Sequence, residues 1–314
     1  MASRHLPVLV EAVVRWLAPQ PGAALFDGTL GGGGHSRALL IAAGGRGRLL
    51  AVDRDPAAWE RSGLEGAFPE AEVRFLHTRF ETALAELVAG RLGGRPFDAL
   101  LLDLGPSSDQ LDDPRRGLSF QVDGPLDMRL DPTTGEPASA WLDRQDEASL
   151  SRVLREFGEI PDARRLARRI LAARPIVTTT ALARLCPARR PGRGGRRHHP
   201  ATLVFQAIRI AVNGELERLA AAVDDGVRCL AVGGRIAVIA FHSLEDRIVK
   251  QALHRLAAPC LCPRDLPACA CGRRPVVTLL TRRGVVATEV ERDANPRARS
   301  ARLRVAERTA NPFV

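Results

Sequence analysis

The chain has 314 residues, 45% hydrophobic and 26% charged. That is enough apolar material for a full core and enough length for one large domain with a smaller companion. The formal net charge is +10, carried by arginine with Lys250 as the one lysine. Such an excess favours a polyanionic partner, nucleic acid first among them, although charge alone does not separate this from a basic enzyme without one. Six cysteines in so long a chain, four of them crowded between 260 and 271, exclude a small secreted disulfide scaffold. Met1 to Val10 lacks the basic-then-apolar pattern of a signal peptide, and no apolar run approaches a membrane span. We therefore expect a cytoplasmic protein with no membrane partner.

In chain order, Val10, Val13, Val14 and Leu17 recur at helical spacing. The apolar run Ala23 to Phe26 then reads as a short buried strand. It enters the glycine-rich turn Asp27-Gly28-Thr29-Leu30-Gly31-Gly32-Gly33-Gly34-His35-Ser36-Arg37, and Ala38 to Ile41 opens a helix. A turn of this kind leaves backbone N–H groups uncovered for a nucleotide-like ligand. The next strand, Arg48 to Asp53, ends in a carboxylate that would reach ribose hydroxyls. A flexible turn alone would need neither the flanking strands nor both acids. The turn ends Gly34-His35-Ser36 with no lysine, which excludes a Walker loop. A dinucleotide fingerprint starting at Gly31 and Gly33 would need glycine at 36, and Ser36 stands there. The chain has no tyrosine, so it has no Tyr-Lys dehydrogenase pair. Asp27 would repel a pyrophosphate and suit the cationic amino-acid end of S-adenosylmethionine, the cofactor we expect. Since a strand-end carboxylate has no core partner, loss of Asp53 is expected to harm cofactor binding more than folding.

Val73 to His77 reads as a third strand, Thr82 to Leu92 as an amphipathic helix, and Phe97 to Gly105 as an apolar strand carrying Asp103 near its end. Strands alternating with helices predict a parallel sheet covered on both faces. The alternation stops near 110. Arg115 to Asp131 reads as an ordered loop, Ser149 to Phe157 and Asp162 to Leu171 as helices, and Arg189 to His199 as a basic, flexible stretch. Pro200 opens another helix. The sheet resumes at Gly234 to His242, and Val276 to Leu280 with Ala301 to Val305 can close it. The expected architecture is α/β: residues 1–109 and 214–314 form one discontinuous domain, interrupted by a helical insertion over 110–213.

Asp103-Leu104-Gly105-Pro106-Ser107-Ser108 follows the fourth strand. An aromatic amine is a poor nucleophile because its lone pair is delocalised into the ring. An acceptor bonded to its N–H would orient that lone pair, and positioning then does most of the work. Asp103 is thus the catalytic candidate, with a cofactor contact or a turn cap as alternatives.

These residues resemble the bacterial 16S ribosomal RNA (cytosine-N4) methyltransferase family, MraW/RsmH. The likeness is carried by His5 to Leu9, Asp27-Gly28-Thr29 with Gly33 to Ser36, Ala51 to Asp55, Leu102 to Gly105, and Gln110 to Asp113. It continues through Asp123-Gly124-Pro125-Leu126-Asp127-Met128-Arg129, His199 to Thr202, Phe241-His242-Ser243-Leu244-Glu245-Asp246-Arg247, and Asn295 to Ser300. These segments span almost the whole chain. Pro106 and Asp109 depart from the pattern. The resemblance implies the S-adenosylmethionine-dependent, Rossmann-like class I fold with an inserted helical domain. It implies methyl transfer to N4 of a cytidine in the decoding region of 16S ribosomal RNA, within the small ribosomal subunit. It also implies cofactor contacts at Gly33, Gly34, His35, Asp53, Phe80, Asp103 and Gln110, with Phe80 lying on the adenine. Asp127, Met128, Arg129, His242 and Glu245 are candidates for a cytidine pocket and equally for structural roles. A small-molecule methyltransferase and a non-catalytic RNA-binding factor are the rival readings. Monomer and dimer are equally open.

Cys260-Leu261-Cys262 and Cys269-Ala270-Cys271 form two C-x-C pairs. Four thiols so close can hold zinc tetrahedrally; reduced thiols or a disulfide are the alternatives.

The stretch Arg189 to His199 reads as RNA-contacting or as a solvated loop. Neutralising Arg193, Arg196 and Arg197 together should lower RNA affinity, flattening the log–log salt slope by about 0.7–0.9 per lost phosphate contact. Filter binding across a salt series checks this, and an unchanged slope returns the stretch to solvent.

Overall fold

The computed structural model describes residues 7–94, 96–186, 200–260, 262 and 271–313. The chain divides into two compact units, Met1–Gly105 with Glu217–Val314, and Pro106–Leu216.

The first unit starts with α1 (Val10–Leu17) and alternates strand and helix: β1 (Ala24–Asp27), α2 (Gly34–Ala42), β2 (Arg46–Asp53), α3 (Ala58–Ser62), β3 (Glu70–His77), α4 (Phe80–Val88) and β4 (Phe97–Asp103). Helical crossovers of this kind are what parallel neighbours require. β1 pairs in parallel with β2 and β4, and β2 with β3. β1 and β4 lie between covered faces and are apolar almost throughout, with Leu25, Phe26, Leu100, Leu101 and Leu102 fully buried. β3, at the edge of the sheet, alternates more and less exposed residues along most of its length.

The second unit carries α5 (Ser108–Asp112), α6 (Ala138–Asp143), α7 (Glu147–Glu156), α8 (Ala163–Ala172), α9 (Thr179–Arg184) and α10 (Pro200–Asn213). It has its own core around Leu126, Met128, Leu142, Leu154, Ile170 and Ile208. On α8 the buried positions Ala163, Leu166, Ala167 and Ile170 fall at helical spacing, so the four arginines between them stand on the polar side. Asp146 caps α7 by accepting the Ser149 N–H at 2.7 Å. Among the described residues of this unit, the only strand-like pairing is the isolated bridge between Pro125 and Thr178.

The chain re-enters the first unit through α11 (Leu219–Cys229), β5 (Leu230–Ala240), α12 (Ser243–Ala257), β6 (Val277–Leu279), β7 (Val285–Val286), α13 (Glu289–Ala294) and β8 (Arg302–Arg308). The sheet order is β3-β2-β1-β4-β5-β8-β6, with β7 also on β8. β5 is parallel to β4, and β8 is antiparallel to β5, β6 and β7. β8 buries Arg304, whose guanidinium grips Asp246 of α12 with two bonds of 2.7 and 2.9 Å. No helix of the described residues is long and apolar enough to cross a membrane.

Asn213 closes the second unit's core. Its Oδ1 accepts the Leu130 N–H at 2.8 Å, and its Nδ2 donates to the Met128 and Arg209 carbonyls, each at 2.8 Å. Met128 is fully buried at a positive φ of 62°, a conformation that needs such support. Asn213→Ala strands a buried N–H and a buried carbonyl. It should therefore destabilise this unit by about 2–4 kcal/mol, measurable by urea unfolding followed with a probe in residues 106–216.

Candidate active site

The sheet order reverses direction at β1, the position where open α/β sheets bind ligands beyond their carboxyl ends. Asp27, the last residue of β1, lies level with Ala51 of β2 and Leu101 of β4. Both neighbours run two residues further, to Asp53 and Asp103, about 7 Å of strand. The end of β1 is therefore the floor of a recess with an acid on each side. The following turn lines that floor. Gly28 N–H donates to the Leu101 carbonyl at 2.9 Å and Leu30 N–H to the Val52 carbonyl at 3.0 Å.

Asp27 does not face a ligand, contrary to its reading from sequence. It is fully buried. Its Oδ2 accepts the Ser36 hydroxyl at 2.6 Å, and its Oδ1 accepts the Thr29 N–H at 3.0 Å. Burial pushes its pKa up against these hydrogen bonds. Thr29 in turn accepts the Asp103 N–H on its hydroxyl at 2.7 Å. Neither Ser36 nor Thr29 stands out by residue type; the carboxylate two residues before Thr29 is the signal that a turn-bracing hydroxyl belongs there.

Gly33 ends the turn at φ 75°, ψ 6°, and no side chain caps α2 there. A Cβ at Gly33 would lie 2.6 Å from Ser62 Cβ, and one at Gly34 would lie 2.8 Å from Pro7 Cγ. The two glycines thus let the chain pass between its neighbours and leave the first N–H groups of α2 without a side-chain cap, a place for an anion or a polar edge. His35 is buried, with Nε2 2.8 Å from the Val8 carbonyl. A carbonyl only accepts, so Nε2 carries the proton and Nδ1 faces Asp103 Oδ2 at 3.6 Å.

Asp53 is half-buried, and both of its oxygens already hold the backbone. Oδ2 accepts the Gly31 N–H at 2.7 Å, and Oδ1 accepts the Asp55 N–H at 2.8 Å. Burial raises its pKa to about 6 despite those bonds. The expectation that it lacks structural partners is thereby corrected: its removal costs the turn. Each oxygen keeps a second lone pair for a ribose hydroxyl. Phe80 opens α4, and its Cβ lies 2.9 Å from where a Gly28 Cβ would stand, so Gly28 has room only for hydrogen.

Asp103 is different. Burial raises its pKa to about 6; nearby His35 lowers it, while Asp27 and Glu245 raise it further. Its Oδ1 is shielded from solvent and has no hydrogen-bond partner among the described residues. An unpaired buried carboxylate oxygen is costly, and it marks where a donor from a ligand belongs.

Gln110 belongs to the second unit. Its Oε1 accepts the Ser107 N–H at 2.9 Å while Ser107 Oγ accepts the Gln110 N–H at 3.2 Å, a reciprocal cap on α5. Its Nε2 donates to the Leu130 carbonyl at 3.3 Å. In the same unit Asp127 grips the Arg129 guanidinium through two bonds of 2.8 Å, and Met128 is core. In the first unit His242 caps α12, and buried Glu245 returns to the Phe241 N–H at 2.8 Å. The histidine and glutamate of His-Ser-Leu-Glu-Asp-Arg are therefore spent on starting a helix, and the Asp on Arg304. The stretch Arg189 to His199 lies outside the described residues.

A seven-strand order of 3-2-1-4-5-8-6 with one antiparallel strand inserted near the edge, and a glycine turn between two strand-end acids, define a class I S-adenosylmethionine-dependent methyltransferase fold. The family model described as the MraW methylase family matches residues 2–309. The chain is 51% identical to the ribosomal RNA small subunit methyltransferase H of Thermomicrobium roseum, over 99% of this chain and 95% of that one. It is 47% identical to the protein of the same name from Trichlorobacter lovleyi, over 97% and 98%. The chain belongs to the MraW methylase family.

Asp53 and Asp103 titrate near 6 in the folded protein, against 3.8 for an ordinary aspartate. The folded state therefore binds more protons than the unfolded one between these values. Ligand-free stability should fall as pH rises from about 4 to about 6.5 and level off above, by at most about 3 kcal/mol per group. Asp103→Asn should shrink the fall. Urea unfolding across this range checks it, and stability rising with pH in that window would contradict it.

Proposed function

We propose that this chain transfers a methyl group from S-adenosylmethionine to N4 of a cytidine in the decoding region of 16S ribosomal RNA, acting in the cytoplasm on RNA within the small ribosomal subunit. The observation that carries the chemistry is Asp103, a strand-end carboxylate beside the glycine turn with one buried oxygen unpaired. The relatives' shared name carries the substrate class.

The proposed cofactor residues are Gly33, Gly34 and His35 through the backbone at the start of α2, Asp53 for the ribose, Phe80 for the adenine, Asp103 at the end of β4, and Gln110 of α5 on the family resemblance alone. S-adenosylmethionine supplies a methyl carbon on a sulfonium, already electrophilic. The protein's task is to make an amide-like amine attack it. Asp103 Oδ1 can accept one N–H of that amine, which frees the lone pair from the ring and aims it. As nitrogen gains carbon its N–H becomes acidic, and the ionised carboxylate can take up the departing proton. Two features favour RNA over a small molecule. The chain carries an excess of +10 charges. On α8, exposed Arg164 and Arg165 pair with the surface acids Glu147 and Asp162, contacts that contribute little and yield readily to phosphates.

Incubation with labelled S-adenosylmethionine and either free 16S RNA or small subunits should place label on N4 of one cytidine. Label in neither overturns the proposal. With cofactor saturating, so that any loss of cofactor affinity is read separately, Asp103→Asn should lower the single-turnover rate by about 10²-fold or more and abolish the rise in rate through about pH 6. Lost affinity at an unchanged rate would make Asp103 a cofactor contact instead.

A further inference from the structure

We propose that Cys260, Cys262 and Cys271 form a structural zinc site, separate from the strand-end recess and unused by methyl transfer. The three sulfurs all lie within 4.8 Å of one another. Cys260 and Cys271 Sγ are 3.8 Å apart. A tetrahedron with zinc–sulfur bonds of about 2.3 Å has sulfur–sulfur edges of about 3.8 Å, so this edge already has the length that zinc requires. A disulfide would need about 2.05 Å and would use two sulfurs, leaving the third.

The backbone holds these thiols together without metal. Cys260 follows α12 closely, and the chain returns to the same helix end after Cys271. Arg273 donates to the carbonyls of Arg255 at 2.9 Å and Ala258 at 3.2 Å, and Val276 N–H donates to the Leu256 carbonyl at 3.0 Å. These bonds cap the carbonyls that end α12 and fix the strap on both sides of the cluster. Cys262 N–H donates to Cys260 Sγ at 3.3 Å, a bond that favours the thiolate a metal needs. Three thiolates on Zn²⁺ leave one negative charge, and Arg273 and Arg274 follow Cys271 after the single residue Gly272. An all-thiolate set of this shape selects zinc over magnesium, calcium or manganese. The three sulfurs fill three corners of the tetrahedron and leave the fourth to a further ligand; Cys269 lies outside the described residues.

The test uses the full chain, purified without added metal. Elemental analysis should find about one equivalent of zinc. Exchange for Co²⁺ should give the sulfur-to-cobalt charge-transfer band and the intense visible bands of a tetrahedral thiolate site. A Cys260→Ser/Cys262→Ser/Cys271→Ser variant should drop to less than about a tenth of an equivalent. Stripping the metal from the wild type should speed amide exchange in residues 271–276 and leave calorimetric affinity for S-adenosylmethionine unchanged. The proposal is overturned by wild-type protein with less than about a tenth of an equivalent of zinc and all three thiols open to alkylation. A disulfide among them under non-reducing mass spectrometry, or full zinc retention by the triple variant, overturns it equally. Should that variant not fold, the wild-type zinc content and cobalt spectrum decide alone.

Discussion

The buried carboxylate of Asp27 is the interaction on which the rest of the site depends. Taking a carboxyl group wholly out of water is expensive, and here the expense is offset by hydrogen bonds from Ser36 and Thr29. Those two bonds bend the chain from β1 into α2. Thr29 then passes the constraint on by accepting the Asp103 N–H, and Asp53 fixes the next part of the turn through Gly31. Three acids stand at three neighbouring strand ends, yet they are not equivalent. Asp27 is consumed by the turn, and Asp53 is engaged on both oxygens while retaining lone pairs. Asp103 alone of the three keeps an unpaired oxygen. Burial raises all three pKa values, so a raised pKa does not single out Asp103. Hydrogen-bond satisfaction does.

Much of this was legible in the sequence because the relevant physics is local. Ala23 to Phe26 and Ala99 to Leu102 are apolar without interruption, as strands covered on both faces must be, and their terminal acids sit where a parallel sheet ends. The amphipathic helices α7, α8 and α10 follow from the spacing of their leucines and isoleucines. α11 had no comparable signal: Ala220, Ala221 and Ala222 blur its faces, and Asp224 and Asp225 interrupt its apolar run. β7, only two residues long, is defined by its partner β8 and by nothing in itself.

The side chains were harder to read than the elements. A carboxylate at a strand end has the same composition whether it faces ligand or backbone, so Asp27 and Asp53 could not be told apart by pattern. His242 and Glu245 sit in a conspicuous motif, and their work is to start α12. Asn213 carries no motif, yet it ties the end of α10 to residues 83 and 85 positions earlier. Local chemistry determines a cap; only the fold determines which distant N–H a buried amide will meet.

The state of Asp103 is set from further away still. Leu9 N–H is held by Glu291 of α13 at 2.5 Å, which fixes the segment before α1 and with it the Val8 carbonyl. That carbonyl claims the Nε2 proton of His35. Nδ1 is then left pointing at Asp103 Oδ2 from 3.6 Å. Oδ2 is thus the oxygen turned toward His35, and Oδ1 is the one left without a partner among the described residues. A backbone carbonyl near the start of the chain thus orients one histidine ring, and through it decides which oxygen of Asp103 stays unpaired.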